Sequence, residues 1–297
     1  MAIIWFGCTK QLKYAVMRAA WGAGIGLIAF IGFWVVLWSF YQGRSVELEM
    51  DVNELVEVKW LEHHWVYAIM HVFVVVPVLA LSFDRKVHYY TYWKSLFPSI
   101  ALVGAGFILW DAVFGAIGVW GFNDRYITGY RWWGLPWEEC LFFFTVPFAS
   151  FFIMLCLDAY FPKDSLRKWD KAITLVLAIV LLVVGLWFVH RLYTAVTFLL
   201  TGLFLVYHYI YVANTYRTRF FRAYLLILIP FLLSNGLLTG SFTEAPVVIY
   251  NPDEFMGIRI VTIPVEDAVY GFLLIFGITT LQQAILKKDQ NKLGRIN

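Results

Sequence analysis

Long apolar runs separated by short polar clusters dominate the chain. Eight windows can cross a hydrocarbon core of about 30 Å: residues 21–41, 64–83, 95–117, 135–157, 172–190, 193–212, 223–240 and 263–286. None shows the strict alternation of a barrel strand. Backbone groups in lipid must find their partners within the chain, so each crossing is expected to be a helix. The pattern therefore predicts an all-α, polytopic integral membrane bundle of about eight transmembrane helices.

Composition sharpens this reading. Of the 297 residues, 61% are hydrophobic, 20% aromatic and only 14% charged, which excludes a soluble globular protein. The net charge of +3 and scattered basic clusters give no nucleic-acid surface. The three cysteines form neither a disulfide framework nor a metal-binding spacing.

The placement of basic residues predicts an orientation. The N-terminus, alternate loops and the C-terminal tail hold 17 of the 23 Lys and Arg, whereas 15 of the 20 acidic residues fall on the opposite side. Both termini are therefore expected to be cytoplasmic, and an even number of spans is consistent with that. The first span follows a basic start, as in a signal peptide, but it ends in bulky Trp38-Ser39-Phe40-Tyr41 and reads as an anchor. Its Gly22, Gly24 and Gly26 suit close helix packing better than a dinucleotide fingerprint.

A shift of 128 positions places Asn123 on Asn251, Gly129 on Gly257, Arg131 on Arg259, Pro136 on Pro264 and Glu138 on Glu266. It also pairs Glu139 with Asp267 and Phe142 with Tyr270, and a gapped continuation pairs Trp110-Asp111 with Ser234-Asn235. Each unit is then three helices, with the fifth span linking them. That extra crossing makes the repeats parallel and puts both acidic pairs at one, non-cytoplasmic face. The expected organisation is an anchor helix and acidic loop over residues 1–62, a first repeat over 63–160, a linker with its helix over 161–191, and a second repeat with a basic tail over 192–297.

The strongest chemical signals are Pro136-Trp137-Glu138-Glu139 and Pro264-Val265-Glu266-Asp267, each opening an apolar helix. Proline and acidic residues also suit an ordinary helix start. Recurrence at matched positions, at a membrane edge where ionisable groups are expensive, favours function. Neighbouring helical residues point about 100° apart, so one carboxylate of each pair can face the bundle interior, and Glu138 is expected to approach Glu266. Aromatics crowd these span ends, among them Trp110, Trp120, Phe122, Tyr126, Trp132, Trp133, Trp137, Phe142, Phe143, Phe144, Tyr250 and Tyr270. They suit either an interfacial belt or a lining that stabilises a carbocation. Asp111 is a further candidate ionisable group. His63, His64 and His71 do not form the clustered boxes of a di-iron oxygenase, and the aspartate-rich motifs of prenyltransferases, a P-loop and a Ser/His/Asp set are absent from the sequence.

Leu81-Ser82-Phe83-Asp84-Arg85-Lys86, Trp93-Lys94-Ser95-Leu96-Phe97-Pro98, Trp110-Asp111, Gly118-Val119-Trp120-Gly121-Phe122-Asn123 and both Pro-x-Glu-Glu/Asp motifs resemble the bacterial and fungal carotenoid cyclases built from two small membrane domains, separate or fused. The resemblance spans residues 63–286 and leaves the first 62 without a role. It implies a fused lycopene beta-cyclase in a bacterial cell membrane, with Glu138, Glu139, Glu266 and Asp267 as catalytic groups. Trp110, Asp111, Trp120, Asn123, Arg131, Phe142, Asn235, Asn251, Arg259 and Tyr270 are the expected substrate-binding residues. The partners are then lycopene or a related carotenoid, membrane lipid and other carotenoid enzymes. Ring closure moves protons without exchanging electrons, so no cofactor and no metal is expected. The alternatives are a same-family cyclase of a longer C50 carotenoid or of another ring isomer and, from a different class, a proton-coupled transporter.

Overall fold

The computed structural model describes residues 32–39, 48, 58–212 and 216–293. Contacts divide the chain into residues 1–45 and 46–297. In the first unit residues 32–39 are helical, and the rest of the expected first span, including Gly22, Gly24 and Gly26, lies outside the described residues.

The second unit holds seven long helices among its described residues: α1 (Val66–Leu81), α2 (Trp93–Ala116), α3 (Trp137–Tyr160), α4 (Asp170–Trp187), α5 (Leu192–Tyr211), α6 (Arg217–Leu238) and α7 (Val265–Leu293). Six are long and apolar enough to cross a membrane, and α1 is a shorter apolar helix. Six short strands lie in the two loops that follow α2 and α6: β1 (Trp120–Phe122), β2 (Arg131–Trp132), β3 (Leu135–Pro136), β4 (Val248–Tyr250), β5 (Arg259–Ile260) and β6 (Ile263–Pro264). Pieces of two or three residues carry too little periodicity to be read from sequence. Pro77, Pro98, Pro147 and Pro230 lie inside α1, α2, α3 and α6, and all four helices continue through them.

Two helix ends differ from expectation by more than a few residues: α7 runs on to Leu293, and α6 begins at Arg217 rather than Ala223. Arg217 is buried because Nε donates to Asp170 Oδ1 at 2.7 Å, Nη2 pairs with Asp170 Oδ2, and Nη1 donates to the His208 carbonyl at 2.6 Å. A buried charge is tolerated when paired in this way, and removing one partner typically costs about 3–5 kcal/mol. The pair ties the start of the linking helix α4 to α6. Along α4 and α5 the backbones approach closely: a Cβ on Gly185 would meet Leu199 at 2.9 Å, and one on Gly202 would meet Leu182 at 2.7 Å.

The two repeats have one element order and are interlocked. Within each, the first helix packs on the third, α1 on α3 and α5 on α7, while each second helix crosses to the other repeat, α2 on α7 and α6 on α3. Strand β1 pairs antiparallel with β4 in the register Trp120↔Tyr250, Gly121↔Ile249, Phe122↔Val248. Under the shift of 128, Gly121 is the counterpart of Ile249, so equivalent residues face each other at the ribbon centre. That is the signature of a local twofold axis. The flanking bonds obey it: Asn123 N–H donates to the Val247 carbonyl and Asn251 N–H to the Val119 carbonyl, both at 2.9 Å. Both acid-bearing hairpins are thereby held at one end of the bundle, as parallel repeats require.

Candidate active site

In each repeat a short hairpin leads into the third helix. Strands β2 and β3 pair Arg131 with Pro136, and β5 and β6 pair Arg259 with Pro264. The arginines brace their own turns: Arg131 Nη1 donates to the Gly134 carbonyl at 2.9 Å and Arg259 Nη1 to the Thr262 carbonyl at 2.6 Å. Gly129 and Gly257 have φ of +88° and +82°, a backbone region that favours glycine and explains their match in the repeat.

The first glutamate of each pair turns back to this loop. Glu138 Oε1 accepts from Thr128 N–H at 2.8 Å and from the Thr128 hydroxyl at 2.7 Å. Glu266 Oε1 accepts from Met256 N–H at 2.8 Å and from the Thr194 hydroxyl at 2.5 Å. Both side chains are fully buried. The expected approach of Glu138 to Glu266 is therefore corrected, because each is occupied with backbone donors ten residues upstream in its own repeat.

The second acidic residues meet instead. Turned by the helical step, Glu139 and Asp267 line one cavity of about 50 Å³ at the interface of the repeats. Asp111, Asn235, Trp120, Phe122, Phe142, Tyr193, Phe231, Tyr250 and Tyr270 line it with them. A space of this size has room for only a few waters, so a larger ligand must displace side chains to enter. Its walls are largely aromatic faces: Trp120 and Tyr193 have ring centroids 5.0 Å apart, and Tyr193 and Tyr250 stack at 5.9 Å. Such faces stabilise a cation.

Hydrogen bonds hold the two carboxyls differently. Asp267 accepts from the Tyr193 hydroxyl at 2.6 Å, the Tyr250 hydroxyl at 2.9 Å and the Asn235 amide at 3.0 Å. Glu139 accepts from the Tyr67 hydroxyl at 2.7 Å. Tyr250 lies in a loop strand, where burial and the neighbouring Asp267 carboxylate hold its phenol well above the usual range, so it remains a donor.

Of the residues expected to bind substrate, Asp111, Trp120, Phe142, Asn235 and Tyr270 line the cavity. Trp110 is buried behind it, its ring 4.9 Å from that of Tyr270. Four others are not among the lining residues. Arg131 and Arg259 brace the hairpins, while Asn123 Oδ1 accepts from Arg125 N–H and Asn251 Nδ2 donates to the Gly118 carbonyl. These four match across the repeats because both loops need them to keep their shape. Trp132 and Trp133 are exposed on a hairpin, in keeping with an interfacial belt. His71 is buried between α1 and α3, bonded to Thr145 and to the Glu138 carbonyl, while His63 and His64 stack on each other.

Sequence reasoning missed Tyr67, Tyr193 and Phe231. Tyr67 and Tyr193 do the same job in the two repeats, but their spacing departs from 128 by two residues, so an ungapped shift conceals them.

In a comparison with protein families, residues 63–157 and 190–285 match the family described as Lycopene cyclase. The chain belongs to the lycopene cyclase family. The two matched segments contain the two hairpins and the two acidic pairs, so the family pattern covers the cavity from both sides. No curated protein and no solved structure matches the chain.

Proposed function

We propose that this chain closes the acyclic ends of lycopene into β-ionone rings, giving β-carotene by way of the one-ring γ-carotene. The observation that carries the proposal is the meeting of Glu139 and Asp267, one from each Pro-x-Glu-Glu/Asp motif, in a single aromatic-walled cavity. Ring closure needs a proton added to the terminal double bond of the end group. A second double bond then attacks the resulting cation, forming a carbon–carbon bond, and a proton leaves the carbon beside the new cation. A carboxylic acid, aromatic faces and a carboxylate base supply these steps without electron transfer.

An integral membrane protein suits such a substrate, because an extended carotene is comparable in length to the hydrocarbon core of about 30 Å. Its end group then reaches acidic residues at one end of the bundle. We place that end on the non-cytoplasmic side of a bacterial cell membrane, with both termini cytoplasmic, from the partition of basic residues. Transport is the weaker reading: its sites commonly lie on discontinuous helices at the bilayer midplane, whereas here the helices run unbroken and the carboxylates open them.

The test is conversion by purified protein in lipid. Lycopene should pass through γ-carotene to β-carotene without added nicotinamide, flavin or metal, and in deuterated water each ring should gain one deuterium. A product of another ring isomer would correct the ring type. Absence of cyclisation by folded protein in lipid that presents lycopene would overturn the proposal.

A further inference from the structure

The cavity is built by a twofold repeat, yet its two halves are chemically unequal. The Tyr193 hydroxyl on Asp267 has a counterpart in the Tyr67 hydroxyl on Glu139. The other two donors do not. Tyr250 corresponds to Phe122 under the shift of 128, so that hydroxyl is missing in the first repeat, and in the gapped continuation, at an offset of 124, Asn235 corresponds to Asp111, so an amide donor is replaced by another carboxyl. Asp111 is 4% exposed and Glu139 8%, and Asp111 Oδ2 has no hydrogen-bond partner. Neither Lys, Arg nor His is among the lining residues. The Tyr270 hydroxyl, buried in the same cavity, is likewise without a partner.

Two buried carboxyls in one site without a cation cannot both carry a charge at tolerable cost, whereas a carboxylate that receives several hydrogen bonds can. We infer that the first repeat holds the acid, one proton shared between Asp111 and Glu139, and that the second repeat holds the base, an ionised Asp267. This division of labour rests on the cyclase reading above. Glu139 gives its proton to the terminal double bond, the carbon–carbon bond closes over the aromatic walls, and Asp267 takes the proton that leaves. Each ring thus takes one proton from the first repeat and leaves one on the second, and exchange with solvent restores both groups. Asp111 acts through Glu139 and is a positioning residue.

The inference is tested on the full chain in lipid by infrared difference spectroscopy at neutral pH, which detects the carbonyl stretch of a protonated carboxylic acid without any substrate. Asp111→Asn and Glu139→Gln should each remove a deuterium-sensitive carboxylic acid band that Asp267→Asn leaves in place. Asp111→Asn makes the first repeat resemble the second, and ring closure should fall by about 100-fold or more, the usual loss when a general acid is removed. Asn235→Asp should add a second acid band. The inference is overturned if the band disappears in Asp267→Asn, if it survives both first-repeat substitutions, or if Asp111→Asn cyclises at the normal rate. Failure of the wild-type protein to cyclise lycopene would overturn the cyclase reading instead, and the band is read independently of it.

Discussion

Glu139 and Asp267 occupy the same place in their repeats, one residue beyond the glutamate that ties down the loop, yet their surroundings differ. Three side chains donate to Asp267, whereas Glu139 receives the Tyr67 hydroxyl and shares its half of the cavity with Asp111. The two halves differ at the carboxyls themselves, Glu139 against Asp267, and at two neighbours, Phe122 against Tyr250 and Asp111 against Asn235. On the proposed division of labour, a symmetric scaffold gains an acid and a base by exchange of side chains. The backbone hydrogen bonds to Glu138 and Glu266 are alike, each from an N–H ten residues upstream, while the hydroxyl donor is Thr128 of the loop in one and Thr194 of α5 in the other.

The twofold relation is itself open to an all-or-none test. Asp124 and Asp253 have highly exposed side chains in the two loops held by the β1 and β4 ribbon. Single cysteines at these positions should react with a membrane-impermeant reagent from the same side, the non-cytoplasmic one. Labelling from opposite sides would break the comparison at its root.

A smaller effect is expected where the repeats are equal. Glu138→Ala and Glu266→Ala each remove an acceptor from a loop N–H and a hydroxyl, and each should lower stability by about 2 kcal/mol. Turnover per folded molecule should fall much less than in Glu139 or Asp267 variants. Unfolding followed in detergent checks the first part and assay of the folded fraction the second. A large loss of turnover with unchanged stability in either variant would return that glutamate to the chemistry.

Much of this arrangement was legible in the residues. The apolar windows place the helices described beyond residue 58 to within a few residues, except at the start of α6 and the end of α7, where charged side chains continue the helix beyond the apolar stretch. Arg217 could not be assigned to a helix from its charge, because its partner Asp170 lies 47 positions away. The acidic motifs were evident, but which member of each pair faces the cavity depends on the turn that presents it. The matched Asn123, Asn251, Arg131 and Arg259 hold the loops and do not line the cavity: repetition marks whatever both halves require, and a braced hairpin is required as much as a binding surface. The proposed division into acid and base rests on the unequal residues, Asp111 against Asn235, rather than on the equal ones.

The central claim is that one site, completed by both repeats, closes both ends of the substrate. Were each repeat a separate site, disabling one would leave one ring closed. The direct measurement is therefore the ratio of γ-carotene to β-carotene formed from lycopene by Glu139→Gln and by Asp267→Asn in the same lipid. A single shared site predicts that both variants lose the first and the second ring together, by about 100-fold or more, with lycopene left unconverted. Accumulation of γ-carotene at close to the wild-type rate in either variant would contradict it.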